Sequence, residues 1–322
     1  MGRLEIVPFA ADHLDDAARL LAARHARHRA VEPLLSARCE SPAAALEELD
    51  RTWRSPDASG AAAFREGRLV GYLLGAPRSN PVWGANTWVE AAGHAAEEAE
   101  SVRDLYAAAA ARWVEEGRPR HSVLVPALDS DLLEAWWRLC FGKQQAHGLR
   151  EVRAGTTVSL PAGFEIRAPR TDEIEQLIDI HLALPAHQQR SPVFSGIRPW
   201  TRPESRKEWL ETLAQDEEKL LVGSLDGRAV ACWAIVPVEC SGEHLGLLLP
   251  DGACYLSFAA TLPEFRGSGI GVALTDAALS WAAAKGYRAM ITDWRVTNLL
   301  ASGFWPSRGF RISFLRLYRS IP

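Results

Sequence analysis

At 322 residues, with 48% apolar and 24% charged, the chain has the length of two ordinary domains and the balance of globular protein. A formal charge of −4 argues against a nucleic-acid partner, since phosphate contacts need clustered Lys and Arg. No apolar run approaches the roughly 20 residues of a membrane-spanning helix.

The first ten residues mix Arg3, Glu5 and apolar residues, with no signal peptide legible. Cys39, Cys140, Cys232, Cys240 and Cys254 fall in no CxxC pattern, so reduced thiols in the cytoplasm, no membrane association and no metal site are expected. In chain order, Leu4-Glu5-Ile6-Val7 reads as a short strand and Asp12 to Ala22 as a helix. Gly67 turns a hairpin into a β-rich run, and a long helix stops at Gly117. Between residues 154 and 163, Gly-Thr-Thr and Pro-Ala-Gly interrupt the pattern, and the same order then begins again.

Phe164-Glu165-Ile166-Arg167 follows Leu4 to Val7 by 160 residues, and the Gly227 turn follows the Gly67 turn by 160. The second long helix stops at Gly286, 169 residues after Gly117; Asn298 follows Asp129, and Trp305 follows Trp136, at that same offset. The chain therefore reads as one fold written twice, as domains 1–157 and 158–322. Each is of α/β (α+β) class, a mixed, mostly antiparallel twisted sheet flanked by helices.

In the second copy, a strand over Tyr255 to Ala260 leads through Thr261-Leu262-Pro263-Glu264-Phe265 into Arg266-Gly267-Ser268-Gly269-Ile270-Gly271 and then a helix. A Gly-rich turn at a helix N-terminus offers unpaired N–H groups and positive potential to an anion. The spacing is not that of a dinucleotide or nucleoside-triphosphate loop.

Pro263 to Gly271 resembles the acyl-coenzyme A motif of the Gcn5-related N-acetyltransferases (GNAT). Asn298-Leu299-Leu300-Ala301-Ser302-Gly303-Phe304-Trp305, closed by Gly309-Phe310, resembles that family's next motif. The resemblance implies two GNAT-like domains and an acetyl group moved from acetyl-coenzyme A to a primary amine of a small molecule or peptide. It implies that the backbone of Gly267, Ser268, Gly269, Ile270 and Gly271 holds pyrophosphate with Arg266 nearby. Phe258, Ala259, Ala260 and Thr261 would pair with the pantetheine arm, while Asn298 and Trp305 complete the cofactor site.

Where the family commonly places a Tyr as general acid, this chain has Trp305, which cannot deliver a proton; Ser302 or solvent is the substitute. Candidate bases are Asp293, Tyr255 through a water, and the edge residues Glu243, His244 and Asp251. The irregular segment from Arg190 to Trp200 falls where the family forms its acceptor pocket. At the 169-residue offset the first copy sets Glu97 against Arg266 and Glu100 against Gly269, so it is expected to bind no cofactor. A non-catalytic acyl-coenzyme A sensor and a purely structural interaction module are the competing readings, in a monomer or a homodimer.

Overall fold

The computed structural model describes residues 3–79, 83–153, 162–196, 198–214, 219–240 and 246–322. The domain boundary expected at 157 lies outside them.

The first half runs β1 (Glu5–Pro8), α1 (Leu14–Val31), α2 (Pro42–Trp53), β2 (Ser59–Arg65), β3 (Arg68–Gly75), β4 (Asn86–Val89), β5 (His94–Ala96), α3 (Ser101–Glu115), β6 (Arg120–Pro126), α4 (Ser130–Trp137) and β7 (Gly142–Glu151). The second runs β8 (Phe164–Arg167), α5 (Ile174–Gln188), α6 (Arg202–Leu213), β9 (Lys219–Leu225), β10 (Arg228–Pro237), β11 (Ala253–Thr261), α7 (Ile270–Ala284), β12 (Ala289–Arg295), α8 (Leu299–Ser307) and β13 (Arg311–Ser320).

Local chemistry accounts for many of these limits. Both hairpins turn on a residue pair with positive φ, Glu66-Gly67 (53° and 76°) and Asp226-Gly227 (48° and 82°). Such a pair matches the twist of the flanking strands. The Asp129 and Asn298 side chains cap α4 and α8 by accepting from Leu132 and Ala301 N–H, and Thr201 with Glu204 forms a capping box on α6. Gly117 and Gly286 follow α3 and α7 with φ of 76° and 83°, the left-handed stop that glycine allows.

The chain forms two compact units, one of Met1–His147, Leu245–Leu249 and Ile312–Pro322, the other of Gly148–His244 and Pro250–Arg311. The last strand thus belongs to the first unit, where β13 pairs antiparallel with β6 from Phe314 opposite Pro126 to Ser320 opposite Arg120. The first unit holds strand orders β1-β2-β3-β5 and β4-β6-β13-β7; the second holds β7-β12-β11-β10-β9-β8. The division passes through β7.

In the second unit, α5 buries Leu177, Ile178 and Ile180 against Cys232, Ala234 and Ala260, side chains on one face of β10 and β11. Trp233 alternates to the opposite face, where its ring approaches Gly271 of α7. The sheet therefore carries α5 on one side and α7 on the other. Among the described residues no helix is long and apolar enough to cross a membrane.

Besides His25 (2% exposed), whose imidazole is also held below its ordinary value by burial, the first unit buries three histidines: His94 (0%), His121 (1%) and His28 (5%). Burial pulls His94 down to about 3 and the other two to about 4, from an ordinary value of 6.5. Between those values the unfolded chain binds protons that the folded one refuses, so stability is full above pH 6.5 and falls as pH drops toward 4. His94 alone removes about 1.4 kcal/mol per pH unit in that window. Denaturant unfolding at pH 7 and pH 5 checks this: a lower midpoint at pH 5 is expected, and an unchanged one means the imidazoles protonate within the fold.

Candidate functional site

Strand β11 pairs with two neighbours, and one pairing stops early. Against β10 it is antiparallel along its whole length, from Cys254 opposite Pro237 to Thr261 opposite Ala231, with a bulge that leaves Ser257 unpaired. Against β12 it is parallel only through Ala253, Cys254 and Tyr255, opposite Ala289, Met290 and Ile291. Beyond Tyr255 the strands part. The Leu256 carbonyl accepts from the Thr292 hydroxyl (3.0 Å), and the stretch that follows reaches a cavity of about 420 Å³.

Ala259, Ala260 and Thr261 line this cavity together with Arg266, Gly267, Gly269 and Gly271 of the turn and Asn298 and Trp305 of the second motif. Leu184 and His187 of α5 line it from one face of the sheet, while Val272 of α7 and Phe304 of α8 line it from the other. The cavity therefore lies where β11 and β12 diverge, with side chains from both faces of the sheet in its lining.

Helix α7 begins here with no side-chain cap and no acidic residue in its first turn. Its leading N–H groups have no partner along the helix, and their dipole favours an anion. Gly267 and Gly269 adopt φ of 79° and 86° with open space around them, so glycine serves backbone conformation there. Gly271 serves packing: a Cβ on it would lie 3.3 Å from the Phe304 ring. The Ser268 hydroxyl closes the turn on the Phe265 carbonyl (2.7 Å).

Arg266 donates through Nε to the Thr261 carbonyl (3.2 Å), tying the turn to the end of β11. Burial, then the nearby Arg190, holds its guanidinium below the usual arginine value, and among the described residues no carboxylate forms an ion pair with it. The lining is otherwise mostly apolar.

Residues 184–310 match the family profile described as the acetyltransferase (GNAT) family. Residues 184–310 carry a GNAT-family domain. In structure it is similar to a GCN5-related N-acetyltransferase from Sphaerobacter thermophilus, at 14% identity over 98% of this chain and 95% of that one, with a TM-score of 0.59. It is also similar to a tandem GNAT protein from the clavulanic acid biosynthesis pathway, at 14% identity over 99% and 98% of the two chains, with a TM-score of 0.51. No curated protein matches it in sequence. Both halves have the GNAT fold.

The remaining sequence-derived residues are distributed as follows. Phe258, Ser268 and Ile270 flank the lining; the Phe258 ring faces α5, edge-on to His181 at 5.7 Å, and Ile270 is buried at the start of α7. Tyr255 and Asp293 meet at the parting of β11 and β12, with the Tyr255 hydroxyl donating to the carboxylate at 2.5 Å. The Ser302 hydroxyl donates to the Val296 carbonyl (2.8 Å). Trp305 packs edge-on between Phe304 and Phe310. Glu243 and His244 lie outside the described residues; Phe194 and Trp200 of the irregular segment are exposed. Among the described residues no cluster of His, Cys, Asp or Glu is placed to hold a metal ion. Sequence reasoning missed Leu184 and His187, whose helix carries no motif.

The GNAT fold of the first unit treats the same location differently. Ala96 pairs with Gly71 as Thr261 pairs with Ala231, and Glu97 N–H meets the Val70 carbonyl as Leu262 N–H meets that of Val230. The 169-residue offset holds at the helix starts, Glu100 and Gly269, but not at the strand end. The loop is 97–100 where the second unit has 262–269. Its acids are already paired, Glu97 with Arg68, Glu98 with Arg65 and Glu100 with Arg103 and Arg138.

His94, the counterpart of Ala259, closes the parting by bonding through Nε2 to the Leu124 carbonyl of β6 (2.8 Å). The Arg24 guanidinium donates to the carbonyls of Ala91 and His94.

Replacing Gly269 with Ala forces a side chain into a left-handed residue. A loss of about 1 kcal/mol is expected on chemical unfolding, and a neutral result means the turn relaxes to negative φ.

Proposed function

We propose that the second domain binds acetyl-coenzyme A in the 420 Å³ cavity and transfers its acetyl group to a primary amine of a small molecule or peptide. The observation that carries this reading is the coincidence, at one opening through the sheet, of an unpaired strand edge and an uncapped helix N-terminus. A pantetheine arm needs the first and a pyrophosphate the second.

Bound acetyl-coenzyme A supplies a thioester whose carbonyl carbon an amine can attack directly, without an enzyme-bound intermediate. The N–H groups of Gly267 to Gly271 hold the pyrophosphate, with Arg266 adding charge. The edge of β11 at Ala259 to Thr261, unpaired with β12, would hold the arm, and a backbone N–H there would stabilise the negative charge that develops on the carbonyl oxygen. As the C–N bond forms and the C–S bond breaks, Asp293, joined to Tyr255 at the apex of the parting, would take the proton released by the amine, and solvent would protonate the departing thiolate. The irregular segment from Arg190 to Trp200 shapes the acceptor side. We assign the first domain no cofactor, since Arg24 and His94 already occupy its strand carbonyls and the gap.

Trp305 favours a second reading, a domain that binds the thioester without transfer, because an indole stands where the family commonly has the Tyr that protonates the leaving thiolate, and Ser302 donates elsewhere. Release of free thiol in the presence of a broad amine panel separates the two: thiol above the hydrolysis background supports the enzyme, and none with binding intact supports the sensor.

Calorimetric titration with acetyl-coenzyme A is expected to give one site per chain. Two sites would refute the assignment of the first domain, and none would refute the proposal as a whole. Arg266→Ala should weaken binding roughly tenfold or more, the range for a charge-assisted contact. Asp293→Asn should lower kcat by about 100-fold with KM for the thioester little changed. An unchanged kcat would remove Asp293 from the proton path.

A further inference from the structure

His187, on the last turn of α5, joins the two motifs of the cavity that it lines. Its Nε2 lies 3.2 Å from Asn298 Oδ1, and its Nδ1 lies 3.5 Å from Arg266 Nη1. Guanidinium can only donate, so Nδ1 carries the lone pair and Nε2 the proton. Oδ1 of Asn298 also accepts the Ala301 N–H (3.3 Å) as the cap of α8. Two donors thus converge on that oxygen. They settle which way the carboxamide points, since the amide nitrogen could accept neither.

From this arrangement we infer that His187 is a positioning residue, which makes Asn298 present its NH₂ group, a donor, to the cavity. The ligand group that meets Asn298 is then a carbonyl oxygen, such as an amide carbonyl of the pantetheine arm, and not an N–H. Without His187 only the cap bond orients the side chain, and a ligand must bear the cost of ordering it. The inference rests on the acyl-coenzyme A reading above, and extends it to a residue outside both motifs and to the polarity of one contact.

The test measures coenzyme A affinity by calorimetry for four proteins, each checked for native circular dichroism: wild type, His187→Leu, Asn298→Asp and the double variant. Aspartate keeps the helix cap but offers no donor when ionised. His187→Leu is expected to weaken binding roughly three- to tenfold, the worth of one hydrogen bond. Asn298→Asp should weaken it more than tenfold, and adding His187→Leu should then change nothing further. His187→Gln, which can still donate to Oδ1, should recover most of the loss.

Equal affinity of wild type and His187→Leu overturns the inference. So does full additivity in the double variant, which would mean that His187 acts on its own account. Failure of the wild type to bind coenzyme A at all refutes the site reading instead, so the two failures are distinguishable.

Discussion

The parting of β11 from β12 after Tyr255 is the constraint on which the site depends. A parallel pair that opens leaves a row of backbone donors and acceptors inside the fold, and such groups need partners. The protein answers some of this demand itself, at Leu256 through Thr292 and at Thr261 through Arg266. The rest faces the cavity. The uncapped start of α7 borders the same space, so the end of β11 and the start of a helix share one cavity.

The first unit fills the same location with its own side chains. Its strand corresponding to β11 is broken into β4 and β5, with β4 parallel to β6 and β5 turned away. The gap is filled by a histidine that bonds across it and by an arginine that takes two strand carbonyls. The glycines of the turn are absent, the loop is shorter, and its acids are neutralised by four arginines instead of being left to repel one another. Buried polar side chains thus satisfy strand carbonyls of this unit from within the fold.

What was legible in the sequence was local. The hairpin turns at Gly67 and Gly227, the helix stops at Gly117 and Gly286, the cap at Asn298 and the turn at Gly267 to Gly271 each depend on a few adjacent residues. Their conformations follow from φ preference and side-chain reach. The duplication was legible too, because two copies keep the same spacing of such signals. The register of the first copy was misjudged at Glu97, since an offset taken from the helices cannot reveal a loop shortened before them.

By itself, then, the sequence determined two copies of one GNAT fold, the glycine-rich turn at the start of α7, and the acidic residues that replace that turn in the first copy. Only the tertiary structure decided that the final strand joins the first unit, that His94 closes one gap while Ala259 leaves the other open, and that His187 reaches Asn298. The reason is the same in each case. Strand alternation is identical whichever neighbour a strand pairs with, and a histidine on an amphipathic helix carries no mark of what it will face. Such contacts are settled by which elements lie side by side, and spacing along the chain does not encode that.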